Sequence, residues 1–171
     1  MSRIAGSSGE VAMLGLRRQV VPVVSTLFAA LLDALPIVTT TPLIPDFAFL
    51  VLLSWRLLRP ELWPAWAALP LGLFNDLVSG HPLGQSMAIW TALFLLLELA
   101  DSRTGWRDYW LDWLFAAVAI LAHSFAGWYV ARMMGNRTEF VVMLPQYALS
   151  VFAYPLVARL VVGLDRWRLA R

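Results

Sequence analysis

Gly72-Leu-Phe-Asn-Asp76-Leu-Val-Ser-Gly80-His-Pro-Leu-Gly84 stands between two apolar segments, residues 61–78 and 83–99. The stretch stops one hydrophobic run and starts the next. Asp76 carries a side chain that bonds readily to freed backbone groups, and Gly80 and Gly84 permit turns that other residues resist. Its reading decides the fold: it marks where two long apolar helices end, turn and meet water.

Two shorter stretches nearby do the same. Pro45-Asp46-Phe47 precedes an apolar run, and Arg56-Leu-Leu-Arg59-Pro60 follows it. The composition around them is that of a membrane protein. Of 171 residues, 60% are hydrophobic and only 14% charged, and the mean hydropathy is +0.70. A soluble domain is nearer half apolar and a quarter charged. One compact unit is expected at this length. Cysteine is absent, which excludes disulfides and thiolate metal sites. Lysine is absent too, so all 13 basic residues are arginine. They are strung along loops rather than gathered on one face, so the basic pI does not indicate nucleic-acid binding.

A membrane-crossing helix needs about 20 largely apolar residues, fewer where its end is buried in protein. Six segments qualify: 20–38, a short 43–58, 61–78 with Pro64 and Pro70 inside it, 83–99, 109–134 and 140–164. Prolines are tolerated in such helices when neighbours satisfy the freed carbonyls. The expected fold is therefore an all-α membrane protein, a compact bundle of about six transmembrane helices. Residues 1–19 read as a disordered cytoplasmic tail, 20–164 as the membrane domain and 165–171 as a second cytoplasmic tail. Asp33 and Pro36, with no Ala-x-Ala-like site after them, argue against a cleaved signal peptide.

The arginines orient this set. Alternate loops hold Arg3, Arg17 and Arg18; Arg56 and Arg59; Arg103 and Arg107; and Arg159, Arg166, Arg168 and Arg171, whereas only Arg132 and Arg137 fall on the other side. The positive-inside bias then places both termini in the cytoplasm. The aromatic residues Trp55, Trp63, Trp66, Trp106, Tyr109, Trp110, Trp113 and Trp167 gather near the same boundary, where amphipathic rings favour the headgroup zone.

The acidic residues Asp33, Asp46, Asp76 and Glu139 fall at the opposite, outer ends of the helices, facing Arg132 and Arg137. Charges near the bilayer are costly and are usually turned inward, paired or wet. Small residues share faces with them: Thr26, Ala29 and Asp33; Ala65, Ala68, Gly72 and Asp76; Gly84, Ala88, Thr91 and Glu98; Ala116, Ala119, His123 and Ala126. Such spacing lets membrane helices approach closely. A tight bundle with an outer polar cluster of Asp33, Asp46, Asp76, Arg132 and Arg137 is expected.

Asp76 has three readings: a helix stop bonded to freed backbone groups, a salt bridge to Arg132 or Arg137, or a binding role. His123 reads as a hydrogen-bonded bundle residue in preference to a proton relay. His81 lies in a loop before Pro82, at a different depth, and no zinc-ligand spacing appears. Asp33 with Asp76 offers two carboxylates for acid–base chemistry, but no nucleophile stands beside a base. Arg56 and Arg59 read first as anchors at the anionic inner leaflet, and second as a docking point for a cytoplasmic partner. No Gly-rich phosphate loop is present. No enzymatic activity, metal or cofactor is expected.

The three stretches, in this order within six apolar segments, resemble the family of the bacterial rod shape-determining protein MreD. The resemblance is strongest from Pro45 to Gly84. It rests on Pro45-Asp46, on Arg59-Pro60, and on Gly72, Asp76, Ser79, Gly80, Leu83 and Gly84. The family often has an arginine before the Pro-Asp pair, where this chain has Ile44. The resemblance implies a non-enzymatic component of the cell-elongation complex in the bacterial inner membrane. It implies MreC as direct partner, in an assembly with the actin-like filament MreB, a glycosyltransferase and a transpeptidase. Membrane lipid surrounds it, and no nucleic acid is involved. A second reading comes from a similar architecture: a substrate-binding membrane component of a vitamin uptake transporter, with Asp33, Asp46 and Asp76 around its ligand.

Overall fold

The structure, a computed structural model, describes residues 8–33, 44–101 and 109–170. Arg3, Trp106, Arg103, Arg107 and Arg171 lie outside them. The described residues form six α-helices: α1 (Ser8–Asp33), α2 (Phe47–Leu58), α3 (Ala68–Ser79), α4 (Gln85–Asp101), α5 (Tyr109–Met133) and α6 (Leu144–Leu169). Short 3-10 turns lie at Pro60–Leu62, Ala65–Ala67 and Phe140–Met143, and no strand occurs among the described residues. The all-helical class and the number of helices follow the sequence reading.

Several boundaries move. The first helix starts at Ser8, inside the stretch read as a disordered tail. Its early residues include Glu10, Ala12, Met13, Leu14 and Leu16, all good helix formers. The third starts at Ala68 rather than near Glu61, because Pro60 and Pro64 cannot supply the backbone N–H groups of a continuous helix. Two single 3-10 turns replace its first part.

Apolar length is uneven. Among the described residues, two helices are long and apolar enough to cross a membrane, Trp110–Met133 and Phe140–Leu169. At 12 residues α2 is about 18 Å long, shorter than a hydrocarbon core of about 30 Å. It is instead the buried axis of the bundle, packed against α1, α5 and α6. Ala48, Phe49, Leu50, Leu52, Leu53 and Trp55 are almost wholly buried. A helix that is apolar on all sides belongs inside, whatever surrounds the protein. Trp55 and Trp63 are therefore core residues and not part of an aromatic belt, whereas Trp66, Trp110 and Trp167 are exposed.

The outside of the bundle is also apolar. Val20, Val24, Phe28 and Leu31 of α1 are exposed, as are Leu114, Val118 and Phe125 of α5 and Phe152, Leu156 and Leu160 of α6. Apolar surface of this extent suits lipid or a partner and not water. On α4 the expected inward face is turned out. Ala88 and Glu98 are exposed, and Ser86, Trp90, Leu93, Phe94 and Leu97 point inward. The large side chains fill the core where small residues were expected.

The helices join α1 to α2, α3 to α4 and α5 to α6 at one end of the bundle, called here the Gly80 end. The other end, with Arg18, Arg59 and Asp165, is called the Arg59 end. Pro22 inside α1 has no N–H for the Arg18 carbonyl one turn earlier. The Arg168 guanidinium of α6 donates to that carbonyl. The gap in one helix is thus filled by another.

Candidate functional site

The carboxylates of the Gly80 end act first on backbone. Asp46 is the N-cap of α2, and its Oδ1 accepts the Phe49 N–H at 2.8 Å. Asp33, the last residue of α1, accepts the N–H groups of Phe47 at 3.1 Å and Ala48 at 2.8 Å. The Leu50 N–H reaches the Asp46 carbonyl. The first N–H groups of a helix have no partner within it, and negative charge there is favoured by the helix dipole. Two carboxylates from successive helices satisfy this whole turn.

The same device recurs at α4. Asp76 of α3 accepts from Gly84 at 2.9 Å through Oδ2 and from Ser86 at 2.8 Å through Oδ1, with Met87 more distant at 3.5 Å. Asn75 donates to Ser86 Oγ at 3.1 Å, and all three of Asn75, Asp76 and Ser86 are buried. Gly72 lies one turn below on the same face. A Cβ there would sit 2.6 Å from the Met87 backbone, so only glycine lets α3 and α4 meet this closely. Gly80 and Gly84 take positive φ of 69° and 93°. Ser79 donates to Asn75, whereas Leu83 is exposed at the tip.

Asp76 therefore caps a helix and forms no ion pair with Arg132 or Arg137. Both arginines are exposed, and Arg132 lies over the Trp128 ring at 5.6 Å. The expected cluster separates into three parts: Asp33 with Asp46, Asp76 within the α3–α4 junction, and two arginines at the rim.

Asp33 and Asp46 line a cavity of about 600 Å³ at the Gly80 end, walled by α2, α5, the α3–α4 turn and the start of α6. His123 of α5 lines it too. Its Nε2 lies 2.9 Å from Asp46 Oδ2, and its ring stacks on Phe49 with centroids 4.1 Å apart. Gln146 of α6 donates to the Ile44 carbonyl at 2.7 Å, beside Pro45. A fold that joins α1, α2, α5 and α6 by side-chain bonds at one spot makes a walled socket. Among the described residues no group of three or more His, Asp or Glu is placed to hold a metal ion. Asp33 and Asp76 do not share a site, so the carboxylate pair read from sequence is not assembled.

The Arg59 end holds an ionic cluster that sequence reasoning missed. Asp165 of α6 is bracketed by two guanidinium groups. Arg59 donates to its Oδ2 at 2.9 and 3.2 Å, and Arg168 to its Oδ1 at 2.8 Å. Asp165 and Arg168 are both only 5% exposed. The bonds to Asp165 hold the Arg59 pKa above its ordinary value. Arg59 thus ties α2 to α6 and is more than a lipid anchor. Arg56 is buried, 5.8 Å from the Phe94 ring centroid, and cannot serve as an exposed anchor. Pro60 opens the 3-10 turn after Arg59. The signal available in sequence was Asp165 itself, a lone acid set among Arg159, Arg166 and Arg168.

With this geometry in view, the family model of the rod shape-determining protein MreD matches residues 16–164. The chain belongs to the MreD family. It is a membrane protein of a family that determines rod shape. The match runs from within α1 to within α6, well beyond the Pro45–Gly84 core of the resemblance. No curated protein and no solved structure matches the chain.

Proposed function

We propose that this MreD-family chain is a non-enzymatic, multi-pass component of the bacterial inner membrane that binds MreC and helps direct side-wall peptidoglycan synthesis. The match to the family over residues 16–164 carries the reading. In this orientation both termini are cytoplasmic, the Arg59 end faces the cytoplasm and the Gly80 end faces the periplasm. The eleven-to-two distribution of arginines supports it. MreB, a glycosyltransferase and a transpeptidase are further members of the same assembly.

The described loops are short, and the polar groups are engaged in capping helices and pairing charges. Binding through helix faces and the socket suits such a chain better than chemistry does. The test is co-expression with MreC and purification in mild detergent. Stable co-elution is expected, and a chain that never retains MreC overturns the reading. The cavity of about 600 Å³ favours one alternative, a substrate-binding component of a vitamin transporter. Tight vitamin binding without MreC capture would establish that alternative instead.

A further inference from the structure

The arginines of the Arg59 end divide into two groups. Arg56 is buried, and Arg59 and Arg168 are bound to Asp165. Arg159 and Arg166 of α6 are exposed, and neither has an ion pair among the described residues. They stand two turns apart, so they share one face of the helix. Gly163 lies between them, with Leu160 and Trp167 on its other flank. A Cβ at Gly163 would meet no atom within 4 Å, so this face carries an open notch. Arg17 of α1 reaches the same flank. Its guanidinium lies 3.8 Å from the centroid of the Trp167 ring and donates to the Trp167 carbonyl, and its Nε has no hydrogen-bond partner. Leu156 and Leu160, beside Arg159, are exposed. The dipole of α6 accounts for Arg166 in the last turn, but not for Arg159, about 15 Å before Leu169. A guanidinium set among exposed leucines of a membrane helix must be paired or wet.

We infer that the notch at Gly163 binds an anionic phospholipid, its phosphate held by Arg159, Arg166 and Arg17 and its chains laid along Leu156 and Leu160. A guanidinium presents a planar fork of donors that fits phosphate oxygens in pairs. The absent side chain at Gly163 leaves room for the glycerol backbone between the arginines. Trp167 is 58% exposed, and its amphipathic ring suits the headgroup level. A zwitterionic lipid offers the same phosphate but brings an ammonium group beside three guanidinium groups, so the anionic lipid is favoured. Free phosphate has no chains to lay on the leucines. The site rests on the membrane character of the family and depends neither on MreC nor on which way the molecule faces.

The experiment uses the purified full chain in a neutral detergent. Phosphatidylglycerol is titrated into the micelles, and phosphatidylcholine with the same chains and inorganic phosphate are titrated separately. The melting temperature is read throughout, and the lipid fraction giving half of its rise measures affinity. A saturable rise with phosphatidylglycerol alone supports the site. Each arginine removed should raise the half-point about fivefold, the equivalent of about 1 kcal/mol per basic residue near an anionic surface. Arg159→Gln combined with Arg166→Gln should therefore raise it by more than tenfold. Arg137→Gln, exposed at the other end, should leave it unchanged. Gly163→Leu is the decisive variant. It fills the notch without meeting another atom through its Cβ and favours the helix, so the chain should melt no lower without lipid, yet respond weakly to phosphatidylglycerol. Equal response to phosphatidylcholine or to free phosphate overturns the inference. So does an equal loss in Arg137→Gln, or a parental response in Gly163→Leu. The comparison of lipids on the unmodified chain decides the matter even where a variant does not fold.

Discussion

At the scale of single residues, Gly72 and Asp76 do one job from two positions. Gly72 removes the Cβ that would strike the Met87 backbone at 2.6 Å, and Asp76 accepts the N–H groups that this close approach brings near. The clash is with backbone, so a rotamer change cannot relieve it. Gly72→Ala is expected to destabilise the protein by about 1–3 kcal/mol through overpacking, seen as a lower melting temperature in detergent. An unchanged melting curve would mean that α3 and α4 are not held this close. Asp76→Ala strands buried N–H groups at a cost of about 1–3 kcal/mol. Glu139→Ala, on an exposed side chain, should cost nothing measurable. Asp76→Asn should fall between the two. Both carboxylate oxygens accept N–H groups, so an asparagine must turn its own NH₂ toward one of them. If Asn melts like Ala, charge matters more than the remaining acceptor. If it melts like the parent, one acceptor is enough. These residues were legible in sequence because glycine and a short acidic side chain at a helix end have few physical uses. What Asp76 bonds to was not legible, because salt bridge and backbone cap place the same residue at the same spot.

At the scale of elements, hydropathy does not distinguish a helix facing lipid from one buried in protein, since both are apolar throughout. That is why α2 reads as a short span and folds as the core, and why Trp55 and Arg56 move from the expected rim to the interior. Pairing at long range was equally hidden. Arg59 and Asp165 are 106 residues apart, and no local pattern links them. Once folded, they fasten α2 to α6, and Arg168 extends the link to α1 through the Arg18 carbonyl. The burial of these groups makes their removal unequal. Asp165→Ala leaves the Arg168 guanidinium buried without its partner, an outcome that typically costs about 3–5 kcal/mol. Arg59→Ala should cost clearly less, because the Arg59 side chain is 38% exposed and Asp165 still keeps Arg168. Thermal melts of both variants in one detergent give the comparison. Equal losses, or a greater loss for Arg59→Ala, would show that the cluster is held by the exposed arm and not by the buried one.

At the scale of the whole molecule, the two ends are chemically opposite. The Gly80 end collects carboxylates as helix caps around an open cavity, and the Arg59 end is closed by the ion pairs of Arg59 and Arg168 with Asp165. The class, the number of helices and the family were legible because they rest on composition and on the order of short motifs. The cavity was only partly so: its carboxylates were visible, but its depth depends on Gln146 and His123, which neighbouring helices bring to it. The asymmetry yields a topological prediction. Among the described residues, Arg17, Arg18, Arg56, Arg59, Arg159, Arg166 and Arg168 belong to one end, against Arg132 and Arg137 at the other. Arginine is held back from crossing, whereas acidic residues count for little in setting orientation. Both termini should therefore be cytoplasmic and the Gly80 turn periplasmic. Reporters that are active only in the cytoplasm or only in the periplasm, fused after Arg171 and inserted at His81, read this directly. The expected pattern is a cytoplasmic signal at Arg171 and a periplasmic signal at His81. A periplasmic signal at Arg171 would invert the molecule or remove one crossing. In an inverted molecule the Gly80-end cavity would open to the cytoplasm, and every partner expected on the outer side would lose its access. The two fusions separate inversion from a crossing lost after His81, because inversion moves both signals and that loss moves only the one at Arg171.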